Sequence, residues 1–204
     1  MDNKKKSILI GATITVVTIV FLSYVFRDKV KAAAKATLGD YKWFNDSLKW
    51  YRDNKSTRDI VEKLHPQFQP LVKEFFSRVE KELGLQMYAT SGLRTFERQA
   101  QLKKEDPKNA APGLSDHNYG FAVDVNVIDP KTGKIILNKQ SPAAAWEKSG
   151  ILKIAKEMGI RWGGTIKNYY DPVHFEIDPK GLKGSQLLAL KNSGKVDANG
   201  YVIV

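Results

Sequence analysis

Hydrophobic residues along the chain follow two kinds of spacing, and each kind predicts a different element. Apolar residues recur every three or four positions from Leu71 to Leu83, which is the spacing of one face of a helix, and Gly84 follows as a typical helix end. Apolar and polar residues alternate from Gly120 to Ile128, which predicts a half-buried strand. Further strands are expected at 85–90, 134–137 and 173–177, and further helices after residue 57 and at 95–104, 143–158 and 187–191. This order predicts an α+β domain whose small, largely antiparallel sheet is flanked by helices.

The N-terminal pattern is different, because residues 7–26 contain no charged residue at all. Twenty helical residues extend about 30 Å, which is the thickness of the hydrocarbon core of a bilayer. We therefore expect an N-terminal transmembrane helix, with residues 1–26 as a membrane anchor, 27–56 as a juxtamembrane linker or helix and 57–204 as the functional domain. A cleaved signal peptide is the alternative, although the apolar stretch is long for one. Basic residues flank the span almost equally, so the positive-inside rule does not predict its topology.

Composition narrows the possible partners. The 204 residues include 33 Lys and Arg against 22 Asp and Glu, a formal net charge of +11. Such an excess favours an anionic partner, such as a phospholipid surface, an anionic cell wall or nucleic acid. The basic residues are dispersed and form no recognisable nucleic-acid motif, so we expect no nucleic-acid partner. The chain has no cysteine, which excludes disulfide scaffolds, iron–sulfur clusters and thiol nucleophiles.

Two of the three histidines lie near carboxylates at predicted strand edges. His117 precedes the strand that contains Asp124, and His174 follows Asp171 by three residues. Two imidazoles and one carboxylate form a zinc ligand set of the catalytic kind, with a fourth position left for water. Asp171 is then a candidate general base, and Arg94, at a strand-to-helix turn, is a candidate cation for the oxyanion of an attacked carbonyl. Taken singly, these residues are equally well surface histidines, turn residues or salt-bridge partners.

Taken together, the surrounding motifs resemble a known family: the zinc-dependent D-alanyl-D-alanine carboxypeptidases and L-alanyl-D-glutamate endopeptidases of cell-wall metabolism, including VanY-like enzymes and related phage endolysins. The matching stretches are SGLRTFERQ at 91–99, SDHNYGFAVDV at 115–125, WGG at 162–164 and DPVHFE at 171–176. They run in the order of the family, over about residues 60–178. The resemblance implies a compact α+β fold. One departure is Leu93, where an aromatic residue is common in the family.

Carried over to this sequence, the resemblance implies one zinc ion bound by His117, Asp124 and His174. It also implies that Asp171 is the catalytic base and that Arg94 steadies the transition state.

Three further residues are candidates for supporting roles. Ser115 and Trp162 are candidates for substrate binding, and Glu176 is a candidate for orienting a ligand imidazole through its other ring nitrogen. A core position for Trp162 and a solvated strand end for Glu176 are the alternatives. We expect His65 to be structural.

The leading hypothesis is therefore a membrane-anchored zinc peptidase that hydrolyses peptidoglycan stem peptides, with residues 57–204 as the peptidase domain on the cell-wall or periplasmic side. An aspartate three residues before the last histidine resembles the endopeptidase branch, which cuts between L-Ala and D-Glu, since carboxypeptidase relatives more often have glutamate there. A D-alanyl-D-alanine carboxypeptidase and a non-catalytic wall-binding module of the same fold are the alternatives. The oligomeric state is not predicted.

Overall fold

The computed structural model describes residues 54–167 and 169–204 of the chain. The helices of these ranges are α1 (Lys55–Val61), α2 (Gln69–Leu83), α3 (Phe96–Glu105), α4 (Ala143–Lys148), α5 (Ile151–Glu157) and α6 (Gly184–Asn192). The strands are β1 (Gln86–Ser91), β2 (Ala122–Asp129), β3 (Lys134–Leu137), β4 (Arg161–Trp162) and β5 (His174–Glu176). Short 3₁₀ turns lie at Asp116–Tyr119, Gly163–Thr165 and Pro179–Gly181.

The five strands form one antiparallel sheet around the long strand β2. Along the path the order is β1-β2-β5-β4, and β3 also pairs with β2. β1 occupies one edge of β2, whereas the other edge pairs first with β5 and then with β3. The prediction of an α+β fold with a small antiparallel sheet is therefore confirmed.

Helix α2 covers the sheet with its apolar stripe. Val72, Phe75 and Val79 are completely buried on this face, and burying a side chain of this size contributes about 1.5–3 kcal/mol. The helix ends as predicted at Gly84, whose left-handed backbone (φ 66°) closes the last turn.

Side chains of β5 alternate between the core face of the sheet and the opposite face. Phe175 is fully buried, and its ring lies 5.2 Å from that of Phe75 and 5.9 Å from that of Trp146. Successive side chains of a strand point to opposite faces. His174 and Glu176 therefore lie on the face opposite the core, and Asp124 of β2 is the register partner of His174.

One predicted element differs from the structure. The single helix expected at 143–158 is two helices, because Gly150 adopts a left-handed backbone (φ 84°) between α4 and α5. The hydroxyl of Ser149, just before the break, accepts the N–H of Ile151, the first residue of α5, at 3.1 Å. An apolar pattern that continues across the break conceals it in the sequence. Strand β4 and the 3₁₀ turns were also not predicted.

The N-terminal segments lie outside the described residues. This applies to the predicted transmembrane helix at 7–26 and to most of the predicted linker, while α1 crosses the predicted boundary between residues 56 and 57. Among the helices that the structure describes, none has the length and apolarity that a membrane crossing requires.

Candidate metal centre and active site

Three side chains from separate parts of the chain converge on one point. Nε2 of His117, Oδ1 of Asp124 and Nδ1 of His174 are each 3.1 Å from the other two. Tetrahedral ligands about 2.0–2.1 Å from a zinc ion would be about 3.3 Å apart. The triangle of nitrogen and oxygen atoms therefore fits a zinc-sized ion, and these three residues form a possible metal site.

The local backbone orients His117 for this role. Its Nδ1 donates to the carbonyl of Gly92 at 2.7 Å, which leaves the lone pair of Nε2 directed at the cluster. The 3₁₀ turn that contains His117 ends at Gly120, where φ is 76°. A Cβ at Gly120 would lie only 2.5 Å from the backbone nitrogen of His65, so this turn requires glycine.

Glu176 contacts the second imidazole, that of His174. Its Oε2 lies 2.8 Å from Nε2 of His174, and its Oε1 accepts Nη2 of Arg161 at 2.7 Å. A proton on Nε2 leaves the lone pair of Nδ1 facing Asp124 and His117, as a metal ligand requires. The structure therefore places Glu176 against the ring nitrogen of His174 that faces away from the cluster, and its orienting role stays a prediction.

The metal-free cluster is strongly coupled electrostatically. Burial opposes ionisation of Asp124, but the charges and hydrogen bonds of His117 and His174 outweigh it and hold the pKa of Asp124 well below its usual range. Burial likewise disfavours the imidazolium of His174, but hydrogen bonds to Asp124 and Glu176 raise its pKa to about 10. A metal ion must displace that proton, so binding will be linked to pH.

Asp171 supplies a carboxylate beside the cluster without belonging to it. Its Oδ1 is buried and has no hydrogen-bond partner among the described residues. Burial, followed by the negative charge of Asp124, raises the pKa of Asp171 above its ordinary value. The backbone of Asp171 passes close to Gly163, where a Cβ would lie only 2.5 Å from the carbonyl oxygen of Asp171. A residue with a side chain at position 163 would therefore displace Asp171. A half-buried carboxylate whose inner oxygen has no partner, and whose pKa is raised, suits a proton acceptor.

Arg94 holds Asp124 from the other side. Its Nη2 lies 3.3 Å from Oδ2 of Asp124 and 3.0 Å from the hydroxyl of Ser91, while Nη1 donates to Oε1 of Gln99 at 3.0 Å. The guanidinium is thus fixed against the outer oxygen of a candidate metal ligand. It also lines the cleft described next.

A cleft of about 840 Å³, here called the site cleft, opens over the cluster. The three candidate ligands, Asp171, Arg94, Glu176 and Ser115 all line it. Trp162 does not line it: its indole N–H donates to the carbonyl of Pro172 at 2.8 Å, and its ring lies 6.5 Å from that of Trp146. The structure therefore brings together every predicted site residue except Trp162.

Two residues of the site were missed in the sequence. Burial and the neighbouring charge of Glu176 raise the pKa of Asp116 to about 8, and Asp116 shares a hydrogen bond with Glu176. On Glu176 itself burial favours the neutral acid, but hydrogen bonds from His174 and Asp116 bring its pKa to about 2. Arg161 completes this group. Asp116 stands next to His117 in the sequence, which was the available signal, whereas no motif pointed to Arg161.

Comparisons with known proteins match the region of the chain that contains the site. A family model described as D-alanyl-D-alanine carboxypeptidase matches residues 108–177, which contain the three candidate ligands and Asp171. The peptidoglycan L-alanyl-D-glutamate endopeptidase CwlK of Bacillus subtilis is 33% identical over 106 residues. The aligned part covers 47% of this chain and 63% of the length of that relative. The resemblance inferred from the motifs is thereby confirmed.

Solved structures with a similar arrangement include the L-Ala D-Glu endopeptidase ChiX of Serratia marcescens, with 20% identity and a TM-score of 0.46. That match covers 60% of this chain and 86% of ChiX. A second is the vancomycin-resistance D,D-pentapeptidase VanY in complex with Zn(II), with 15% identity and a TM-score of 0.43, over 62% of this chain and 78% of VanY.

Proposed function

Because the chain resembles the VanY-like peptidoglycan peptidases in sequence, we propose that it is a zinc-dependent peptidase that hydrolyses peptidoglycan stem peptides. The observation that carries this proposal is the convergence of His117, Asp124 and His174 at 3.1 Å beside the unpaired carboxylate of Asp171. A binding module has no use for a proton acceptor at that position. The proposal therefore favours an enzyme over a non-catalytic wall-binding module.

Each of the five central site residues would have its own task in this reaction. His117, Asp124 and His174 would hold the zinc ion, which when bound lowers the pKa of water and polarises a carbonyl. Asp171 accepts a proton from the attacking water and returns it to the leaving amine. Arg94 keeps Asp124 in place through Oδ2 and presents positive charge to the cleft, where negative charge develops on the attacked carbonyl.

We propose the bond between L-Ala and D-Glu as the one that is cut. The relative CwlK supports this choice, as does the aspartate at position 171. The alternative is removal of a terminal D-Ala, which the description of the matching family model favours. Both reactions need the same donor set and the same base, so only product analysis separates them.

We also propose that residues 7–26 anchor the protein in a membrane, with the peptidase domain on the cell-wall or periplasmic side. The uninterrupted apolar stretch supports the anchor. The net charge of +11 suits an anionic wall. Labelling of an introduced cysteine with a membrane-impermeant reagent would test the topology, since the chain contains no other cysteine.

The deciding experiment is digestion of purified peptidoglycan with the wild-type protein and with Asp171→Ala. We expect one zinc ion per chain in both proteins, and new L-Ala carboxyl and D-Glu amino termini with the wild type alone. Loss of one D-Ala from each stem would instead identify the carboxypeptidase. Binding to the wall without any new termini would overturn the proposal in favour of a binding module. Lys156→Ala, on the exposed side of α5, serves as a matched surface control.

A further inference from the structure

The mouth of the site cleft has a charge pattern that the proposed mechanism does not use. Three exposed lysines line it: Lys108, Lys139 and Lys167, here called the lysine rim. Within residues 54–167 and 169–204, none of the three forms a salt bridge or donates its ammonium group to a hydrogen bond. By contrast, the carboxylates of Asp124 and Glu176 deeper in the cleft are paired with arginine or histidine. The ammonium groups of the lysine rim therefore have no bonded counter-ion among the described residues, and they can attract an anion from outside.

The backbone around Lys139 is held in place by hydrogen bonds on both sides of it. It follows β3 in a tight turn, where the side chain of Asn138 accepts the N–H of Gln140 at 2.9 Å and the hydroxyl of Ser141 accepts the N–H of Asn138 at 3.0 Å. The hydroxyl of Tyr170 donates to the carbonyl of Ser141 at 2.8 Å, which ties this turn to the loop that carries Asp171. The backbone of Lys139 is thus held in a fixed relation to Asp171.

A second tyrosine contacts the loop that carries Lys108. The hydroxyl of Tyr169 lies 3.0 Å from Oδ1 of Asn109, and the side chain of Asp106 accepts the N–H of Lys108 at 2.9 Å. Two adjacent tyrosines therefore join three loops, each of which carries one lysine of the rim. Such bridging reduces the entropy that the loops would lose on binding a ligand.

The charge of Lys139 also acts on the candidate proton acceptor. Lys139 stabilises the ionised carboxylate of Asp171, and it is the one lysine among the main influences on that group. A residue that lies next to Asp171 in a bound peptide therefore lies within the field of Lys139 as well. In the proposed reaction this is the residue whose amine leaves, because Asp171 returns a proton to that amine.

The residue on the leaving side of the cleaved bond carries a negative charge that the positive charge of Lys139 would attract. D-Glu has two carboxyl groups, and after its amine is linked to L-Ala only one of them continues the stem peptide. The other remains a free carboxylate unless it is amidated. In the cleft, this carboxylate would be repelled by Asp171 and attracted to the rim, which fixes the direction in which an anionic peptide enters.

We propose that Lys139 binds the free carboxylate of the D-Glu residue on the leaving side of the cleaved bond and thereby makes the enzyme selective for the non-amidated stem peptide. This inference rests on the proposed function. Lys108 and Lys167 extend the positive rim and act at longer range. Lys139 is a specificity-determining residue, whereas Asp171 remains the residue that transfers the proton.

A pair of stem peptides that differ only in this group, as carboxylate or as carboxamide, tests the proposal on the full-length zinc-loaded protein. We expect the wild type to have a kcat/KM about fivefold higher on the carboxylate, mainly through KM, which is typical of a solvent-exposed ion pair. The preference should shrink as the salt concentration rises. Lys139→Met, which keeps the length of the side chain without its charge, should lower kcat/KM on the carboxylate to the value on the carboxamide. Lys139→Arg should retain the preference.

The matched control is Lys156→Met, which removes the same charge on α5, away from the site cleft. It should leave both rates unchanged. Equal rates of the wild type on the two peptides would overturn the inference alone. A Lys139→Met variant that is slower on both peptides by the same factor would also overturn it, since Lys139 would then act only through Asp171 or the fold. If the wild type cuts neither peptide nor intact peptidoglycan, the proposed function is overturned and the inference falls with it.

Discussion

At the scale of single residues, the site combines groups that stabilise one another with a carboxylate, that of Asp171, that stands apart from them. His117, Asp124 and His174 are mutually hydrogen-bonded, and Arg94 adds a further partner to Asp124. Asp171 has a buried oxygen without a partner among the described residues. A buried polar atom without a partner costs free energy, and such costs concentrate at functional sites.

We expect Asp171→Asn to abolish hydrolysis and to stabilise the metal-free protein. The pKa of this carboxyl is raised by burial, followed by the charge of Asp124, so its ionisation favours the unfolded state at any pH above 3.8, the ordinary value. Asparagine has the same shape and no charge. Urea unfolding at neutral pH with a chelator present should show a higher midpoint for the variant. This difference should narrow as the pH falls toward 3.8. Equal midpoints at neutral pH would contradict the prediction.

Glu176→Gln should weaken zinc binding by about 10- to 100-fold, which is the usual cost of losing a carboxylate that orients a ligand histidine. Glutamine removes the charge that holds the proton on Nε2 of His174, so the lone pair of Nδ1 is directed at the metal less often. Competition with a chromophoric chelator measures the affinity. Asp178→Asn is the matched control, because Asp178 contacts Arg161 but not His174, and it should change the affinity by less than about twofold.

Residue types and spacing allowed the candidate ligands to be predicted, but not the contacts between distant positions. His117, Asp124 and His174 stand in motifs with a recognisable order. The pairing of Arg94 with Asp124 joins residues 30 positions apart, and neither motif contains that information. The orientation of Trp162 toward Pro172 depends on how the 3₁₀ turn after β4 is packed, which a short motif does not specify.

At the scale of elements, the strands and the long helix could be predicted because each has a uniform periodicity. The break between α4 and α5 could not, since the apolar pattern continues across it and only the positive φ of Gly150 reveals it. β4 has only two residues, too few for any period to appear. The turn before β2 was also missed, although it places His117.

Gly120→Ala should therefore destabilise the domain far more than Gly133→Ala. Both glycines have a positive φ, 76° and 68°, so both substitutions carry backbone strain of about 1–2 kcal/mol. A Cβ at Gly120 would in addition lie 2.5 Å from the backbone nitrogen of His65, whereas nothing lies within 4 Å of a Cβ at Gly133. We expect a loss of more than about 3 kcal/mol at Gly120, as for other severe steric conflicts. Urea unfolding of both variants measures the losses, and similar values would refute this steric explanation.

At the scale of the whole molecule, the C-terminal residues are tied to the start of the domain. Nε2 of His65 lies 2.9 Å from the carbonyl of Val202, and its Nδ1 accepts the N–H of Gln67 at 3.2 Å. The ring of His65 also stacks on Phe121 with a centroid distance of 4.1 Å. The expectation that His65 is structural agrees with these contacts. No periodicity could have predicted a contact across 137 residues.

The contact makes stability depend on pH in a defined direction. Burial lowers the pKa of His65 below the ordinary 6.5, although the hydrogen bond to Val202 opposes this shift. The stability due to the neutral ring is therefore complete above 6.5 and is lost as the pH falls from there toward the lower pKa of the folded state. Comparing wild type with His65→Gln by urea unfolding at several pH values isolates the contribution of the His65 imidazole to stability. The wild type should lose more stability than the variant between neutral and mildly acidic pH, and parallel curves would contradict the assignment.

The register between β2 and β5 has a consequence for biosynthesis. Asp124 and His174 are opposite one another only when the last strand has been added to the sheet, and a shift by one residue would turn His174 toward the core. A nascent chain that has emerged only as far as residue 173 lacks one donor entirely. If the proposed zinc site is correct, metal uptake would therefore require that the sheet has been completed in this alignment, and a truncated or misaligned chain would offer at most two of the three donors.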